Sequence, residues 1–227
     1  MPAEAAIRAV LGRFAGRAAL VSSFGTQSVV LLHLVAAVDR AVPIIFLDTG
    51  KLFPETLRHR DAVVARLGLT DVRSVQPDPR MLAQQDPLGG LWASDPDACC
   101  GLRKVVPQAC ALEGFDLILT GRKRYQTLVR ARLPILEATP DGRLRCNPLA
   151  DWDAASIEAY RLAQGLPAHP LAAAGYPSIG CHHCTDRVMP GEDARAGRWR
   201  GRGKSECGMH PRAETGPEPR LGHGHAD

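Results

Sequence analysis

Short apolar runs alternate along the first two thirds of the chain with longer stretches whose apolar residues recur at helical spacing. Residues 18–24 hold an apolar run that ends in small polar residues before Gly25. Residues 27–39 are apolar on most sides, which predicts a buried helix. Residues 42–47 form a second strand-like run, ending at Asp48, Thr49 and Gly50. Residues 53–67 predict a helix with Pro54 in its first turn, where a missing N–H costs little, and with an apolar stripe of Leu57, Val63, Val64 and Leu67. Val72–Val75 is a third strand, and residues 116–120 are a fourth, followed by Gly121 and Arg122. This alternation predicts an α/β fold, a parallel sheet with helices on both faces. In such sheets ligands sit beyond the carboxyl ends of the strands. Segments 22–28, 48–50 and 120–124 are therefore expected to converge on one crevice.

Past Asp151 the texture changes. Trp152 and Asp153 read as a hydrophobic staple and an N-cap, with Ile157 as the staple's partner and Gly165 as the helix stop. Beyond Pro167, Gly, Pro, Arg and Cys dominate. The expected organisation is an α/β domain over residues 1–190 and a flexible tail over 191–227 with little packing of its own.

Composition narrows the class. The chain has 227 residues, 45% hydrophobic and 23% charged, enough to bury a core without disulfide staples. No stretch reaches the ~18 uninterrupted apolar residues of a membrane span, and the N-terminus lacks a secretory build, so a cytoplasmic protein without membrane contact is expected. A net charge of +4 is too mild to argue for nucleic acid.

Seven cysteines in such a chain favour thiolate ligation or redox chemistry over a disulfide framework. Cys99-Cys100 and Cys181-His182-His183-Cys184 form two pairs in distant segments, a plausible four-thiolate site for zinc or an iron–sulfur cluster. Adjacent cysteines suit a cluster better than a zinc ribbon, which spaces its ligands. Lys104 lies four residues beyond Cys100 and puts a positive charge on the same side. Cys110 and Cys146 are expected to pack as small apolar residues, and His223 and His225 to be solvated.

Two further constellations carry chemistry. The turn Ser22-Ser23-Phe24-Gly25-Thr26-Gln27-Ser28 joins a strand to a helix and offers hydroxyls and N–H groups to an anion; a plain capped turn is the alternative. It is not a Walker loop, for no Gly-Lys-Ser/Thr follows. Cys207, in Lys204-Ser205-Glu206-Cys207-Gly208-Met209-His210, follows Arg187, Arg195, Arg198, Arg200 and Arg202, surroundings that favour a thiolate. Base-stacking aromatics are scarce there, so a small anionic molecule is the expected partner.

Together these segments resemble the assimilatory sulfonucleotide reductases. The resemblance rests on S-S-F-G-x-x-S at 22–28, L-D-T-G-x-L-F-P-E-T at 47–56, C-C-x-x-R-K at 99–104, T-G-R-K-R at 120–124, G-C-x-x-C-T at 180–185 and K-x-E-C-G-x-H at 204–210. It implies an adenine nucleotide alpha-hydrolase-like fold with a modified PP-loop. Related ATP pyrophosphatases carry S-G-G-x-D-S; Phe24 and Gln27 replace a Gly and the Asp, which speaks against ATP splitting and against an RNA-thiolating enzyme. Both cysteine pairs imply the branch with a 4Fe–4S cluster on Cys99, Cys100, Cys181 and Cys184, which mostly reduces adenylyl sulfate (APS); the branch without them reduces 3′-phosphoadenylyl sulfate (PAPS), and some cluster-bearing members accept both, so a PAPS reductase or dual-specificity enzyme is the alternative. The implied catalyst is Cys207, which takes the sulfo group and yields it to thioredoxin or a glutaredoxin-like reductant. Lys104, Arg122, Arg195, Arg198 and His210 are the implied cationic contacts. Ser22, Ser23, Gly25 and Ser28 are expected on the phosphosulfate, and Asp48 and Thr49 at the adenine or ribose. The tail is expected to hinge at 197–203 and to be poorly ordered without substrate. A non-catalytic zinc-bound nucleotide module is the remaining rival.

Overall fold

The computed structural model describes residues 2–210. Along the chain come α1 (Ala3–Arg13), β1 (Ala18–Val21), α2 (Ser28–Ala36), β2 (Ile44–Leu47), α3 (Pro54–Leu67), β3 (Val72–Val75), α4 (Pro79–Gln85), α5 (Leu91–Ser94) and α6 (Pro96–Cys100). A π-helical turn (Gly101–Val105) leads into α7 (Val106–Ala111), then β4 (Leu117–Thr120), β5 (Leu136–Ala138), β6 (Leu144–Cys146) and α8 (Ala154–Ala163). The six strands make one sheet in the order β3-β2-β1-β4-β6-β5. All pairs are parallel except β5 with β6.

The central strands β1, β2 and β4 are apolar at every position but Thr120, the last of β4, because both faces are covered. Ala18, Leu20, Ile44, Phe46, Leu117 and Leu119 enter one core with residues of α1, α2, α3 and α8. Their neighbours Ala19, Val21, Ile45, Leu47 and Ile118 enter a second core with Leu112 and Phe115. The chain runs from β1 outward to β3 and then returns to β4 on β1's other side. This reversal opens a crevice at the carboxyl ends of β1 and β4.

Local signals explain several boundaries. Helix α3 carries Pro54 in its first turn and stops at Gly68, whose φ of 63° is the left-handed conformation glycine adopts freely. Asp153 caps α8 by accepting from Ser156 N at 2.7 Å, and Trp152 and Ile157 share the first core.

The structure also departs from the sequence reading. Strand β1 ends at Val21, since residues 22–24 already form the turn. Helices α1 and α4 to α7 and strands β5 and β6 were not anticipated, and the sheet edge is antiparallel. Cys110 is exposed rather than packed, whereas Cys146 is buried in β6. Within residues 191–210, Arg198 forms a β-bridge with Thr185, and Trp199 is 3% exposed. His223 and His225 lie outside the described residues. Among the described residues no helix is long and apolar enough to cross a membrane.

Candidate active site

The turn after β1 forms one wall of the crevice. Ser22 Oγ accepts from Phe24 N at 3.2 Å, and Ser28 N donates to Gly25 O at 3.0 Å. Phe24 takes a φ of 47°, where a glycine would be easier. It is held there because its ring is fully buried edge-on against Phe46 at 5.4 Å. Thr26 Oγ1 donates to Pro177 O at 2.7 Å and so ties this turn to the segment before Gly180. Gln27, standing where an ATP-splitting loop has Asp, donates through Nε2 to Tyr125 Oη at 2.6 Å.

The opposite wall is basic and includes the tail. The crevice is lined by Ser22, Ser23, Gly25 and Ser28 and by Lys104, Arg122, Arg195, Arg198, Cys207 and His210. Arg195 donates to Ser205 O at 2.9 Å, and Arg198 to Ile179 O at 3.0 Å. Burial pushes Arg195 down to about 10, helped by Arg198 and Arg130. Burial alone would lower Lys104 as well, but the sulfurs of Cys181, Cys207 and Cys100 outweigh it and the net shift is upward. His210 is held well below the usual histidine range by burial and by Arg122, Arg145 and Arg130, so it stands as a neutral ring.

Behind the crevice lie the paired cysteines. Cys100, Cys181 and Cys184 pack with Trp199, and Cys207 rests against that group. Cys99 is buried beside them, within electrostatic reach of Cys181 and Cys184. Burial raises the Cys100 thiol to about 11 and pushes the Cys99 and Cys184 thiols up as well, so these three would resist ionisation when unligated. Thr49 Oγ1 lies 3.3 Å from Cys181 Sγ. Trp199 Nε1 and Arg198 Nε are buried with no hydrogen-bond partner among the described residues. Two orphaned donors beside four thiols fit an electron-rich sulfur centre that would accept from them. No three His, Cys, Asp or Glu among the described residues stand close enough to share one metal ion. A multi-iron cluster asks less, because its thiolates bind different irons and need not meet at a point.

Residues 17–187 match the phosphoadenosine phosphosulfate reductase domain family. The chain belongs to that family. It is 50% identical over 209 residues to the adenosine 5′-phosphosulfate reductase of Mesorhizobium japonicum, covering 92% of this chain and 82% of the relative. It is 42% identical over 212 residues to the enzyme of the same name from Mycolicibacterium smegmatis, covering 92% and 88%. Among solved structures, the phosphoadenylyl-sulfate reductase of Candida auris in its phosphate complex superposes with a TM-score of 0.71 at 28% identity, covering 83% of this chain and 91% of that one. Yeast FAD synthetase shares the fold, with a TM-score of 0.57 at 18% identity, covering 82% and 66%.

Within this family member, Asp48 and Thr49 stand apart from the other residues singled out in the sequence. Neither lines the crevice; Asp48 accepts from Gln76 and from Gly50 N, and Thr49 backs Cys181. Lys123, Arg130 and Glu206 line the crevice and were not singled out. Lys123 is 2% exposed, and its ammonium donates to Gly121 O at 2.8 Å. Burial, with Arg130 and Arg195 nearby, pushes it down to about 7. Its place beside Arg122 in the basic segment after β4 was the available signal.

Proposed function

We propose that this protein reduces APS to sulfite and AMP with electrons from thioredoxin or a similar dithiol protein. The observation that carries the reading is that Cys207 lines one crevice with the hydroxyl-rich turn and several buried cations. The relatives named adenosine 5′-phosphosulfate reductase support APS over PAPS.

In the first half-reaction the Cys207 thiolate attacks the sulfate sulfur of APS. A sulfur–sulfur bond forms, the sulfur–oxygen bond to the phosphate breaks, and AMP leaves with the electron pair. The enzyme then holds S-sulfocysteine. A thiolate of the reductant next attacks Cys207 Sγ and releases sulfite with the pair of electrons; its second thiol resolves the mixed disulfide and restores Cys207. Two anions must meet in the first step, so fixed positive charge lowers its barrier. Lys104, Arg195, Arg198 and Lys123 supply that charge, while Ser22, Ser23, Gly25 and Ser28 hold the phosphosulfate. Cys99, Cys100, Cys181 and Cys184 would hold a 4Fe–4S cluster. When bound, it would anchor α6 and residues 181–184 together and set the charge beside Lys104. In this reading residues 1–190 bind the nucleotide and the following tail presents the nucleophile.

The test is sulfite release from APS and from PAPS with a thioredoxin-regenerating system. Wild-type protein turns over APS faster, and Cys207→Ser turns over neither. Without reductant, APS adds a sulfite-mass adduct to the Cys207 peptide of the wild type. Iron and acid-labile sulfide on anaerobic purification, lost in Cys181→Ser, test the cluster.

A further inference from the structure

The crevice holds more fixed positive charge than its own carboxylates balance. Glu206 is the one acidic side chain among its described lining residues. Its Oε2 lies 2.6 Å from Arg130 Nη2 and 4.0 Å from Arg195 Nη2, and Thr127 Oγ1 donates to its Oε1 at 3.4 Å. The pair is well enclosed, with the Arg130 and Glu206 side chains 12% and 28% exposed. Glu206 also directly precedes Cys207 in the chain.

We propose that Glu206 is the crevice's own counter-ion, occupying in the free protein the Arg130–Arg195 position that an anionic group of the nucleotide takes. Two anions cannot share that position without repulsion. Nucleotide entry therefore expels Glu206, and its neighbour Cys207 is released from the Arg130 anchor to adjust toward the sulfate. Glu206 is thus a positioning residue. It shields buried cations while the crevice is empty, and it yields when substrate arrives. The cost appears as weakened nucleotide affinity, because only the fraction of molecules with Glu206 displaced can bind. By reciprocity, nucleotide loosens the tail by the same factor that the docked tail weakens nucleotide.

A rival role is a permanent strut, with Glu206 on Arg130 in free and bound states alike. The two differ in sign. The inference rests on the reading of this crevice as the nucleotide site, so AMP binding and APS turnover are measured on the same wild-type preparation. Glu206→Gln keeps the shape and removes the charge. It is expected to bind AMP roughly fivefold or more tightly than wild type. The gain is expected to shrink in an Arg130→Met background, and the nucleotide-free variant is expected to alkylate faster at Cys207 with iodoacetamide. AMP affinity that is unchanged or weaker in Glu206→Gln, in a wild type that does reduce APS, overturns the counter-ion and leaves the reductase standing. A gain of equal size with and without Arg130 also overturns it. A wild type that neither binds AMP nor reduces APS overturns both.

Discussion

Arg198 lies across the bare Cα of Gly180, so close that a Cβ there would overlap Nη2 and stand 2.6 Å from Cζ. The guanidinium is buried, donates to Ile179 O and lies over the Trp199 ring at 4.4 Å, contacts it must give up to make way. Gly180→Ala is therefore expected to fold but to displace Arg198 from the crevice. A misplacement of about 1 Å at a reacting site costs on the order of 100-fold. Steady-state kinetics should show kcat/KM for APS down by about that factor, with melting temperature changed by only a few degrees. Near-wild-type kcat/KM would show that Arg198 is dispensable.

Lys123 gives the site a pH dependence near neutrality. Its free-state value of about 7 means that it is roughly half charged at physiological pH. A bound anion favours the charged form, so binding takes up a proton, and affinity falls as pH rises above 7. AMP titrations in buffers of different ionisation enthalpy should report that uptake. Lys123→Met should abolish it and bind more weakly at low pH.

The buried histidines make the fold acid-sensitive. His169 is pushed down to about 4 by burial and then by His59, whose ring lies 4.8 Å away. Backbone N–H of Leu171 donates to His169 Nδ1, so Nε2 carries the proton and donates to Thr56 Oγ1 at 3.1 Å. The unfolded chain protonates this ring near 6.5, while the folded chain keeps it neutral down to about 4. The unfolded state thus binds more protons within that window, and stability falls as pH drops through it, by ~3 kcal/mol at most. Urea midpoints at pH 7 and pH 4.5 should differ less in His169→Gln than in wild type. An equal difference in both would remove His169 from the account.

Arg103 and Asp86 form an enclosed ion pair at 2.6 Å, their side chains 9% and 2% exposed. Arg103 also donates to Thr49 O at 2.9 Å, joining the π-helical turn to the end of β2 next to Cys181. Arg103→Met strands a buried carboxylate and is expected to cost about 3–5 kcal/mol. Adding Asp86→Asn should recover most of that loss in denaturant unfolding.

What the sequence disclosed follows from how its signals are written. Strands β1, β2 and β4 were legible because both faces are buried, leaving continuous apolar runs. Helix α3 announced itself through Pro54 and the apolar stripe of Leu57, Val63, Val64 and Leu67. Strands β5 and β6 have three residues each and alternate too briefly to show a period. Helices α5 and α6 are similarly short, and α6 is set by the Asp95 cap and by packing of Cys99 and Cys100. The cysteines and Cys207 stood out by type and spacing. Arg130 and Glu206 did not, because a salt bridge across 76 positions leaves no local trace. The closeness of the Thr49 hydroxyl to Cys181 is likewise a contact across 132 positions that only the folded chain makes.

The stretch around Cys207 is tethered on both sides, by Lys204 on Asp97 and by Gln108 Nε2 on Met209 O at 2.8 Å. A sulfur strung between two such moorings faces the crevice, and under the proposed reaction one of them parts before a protein reductant reaches it. Nucleotide and reductant must then take turns, giving ping-pong kinetics with parallel double-reciprocal lines.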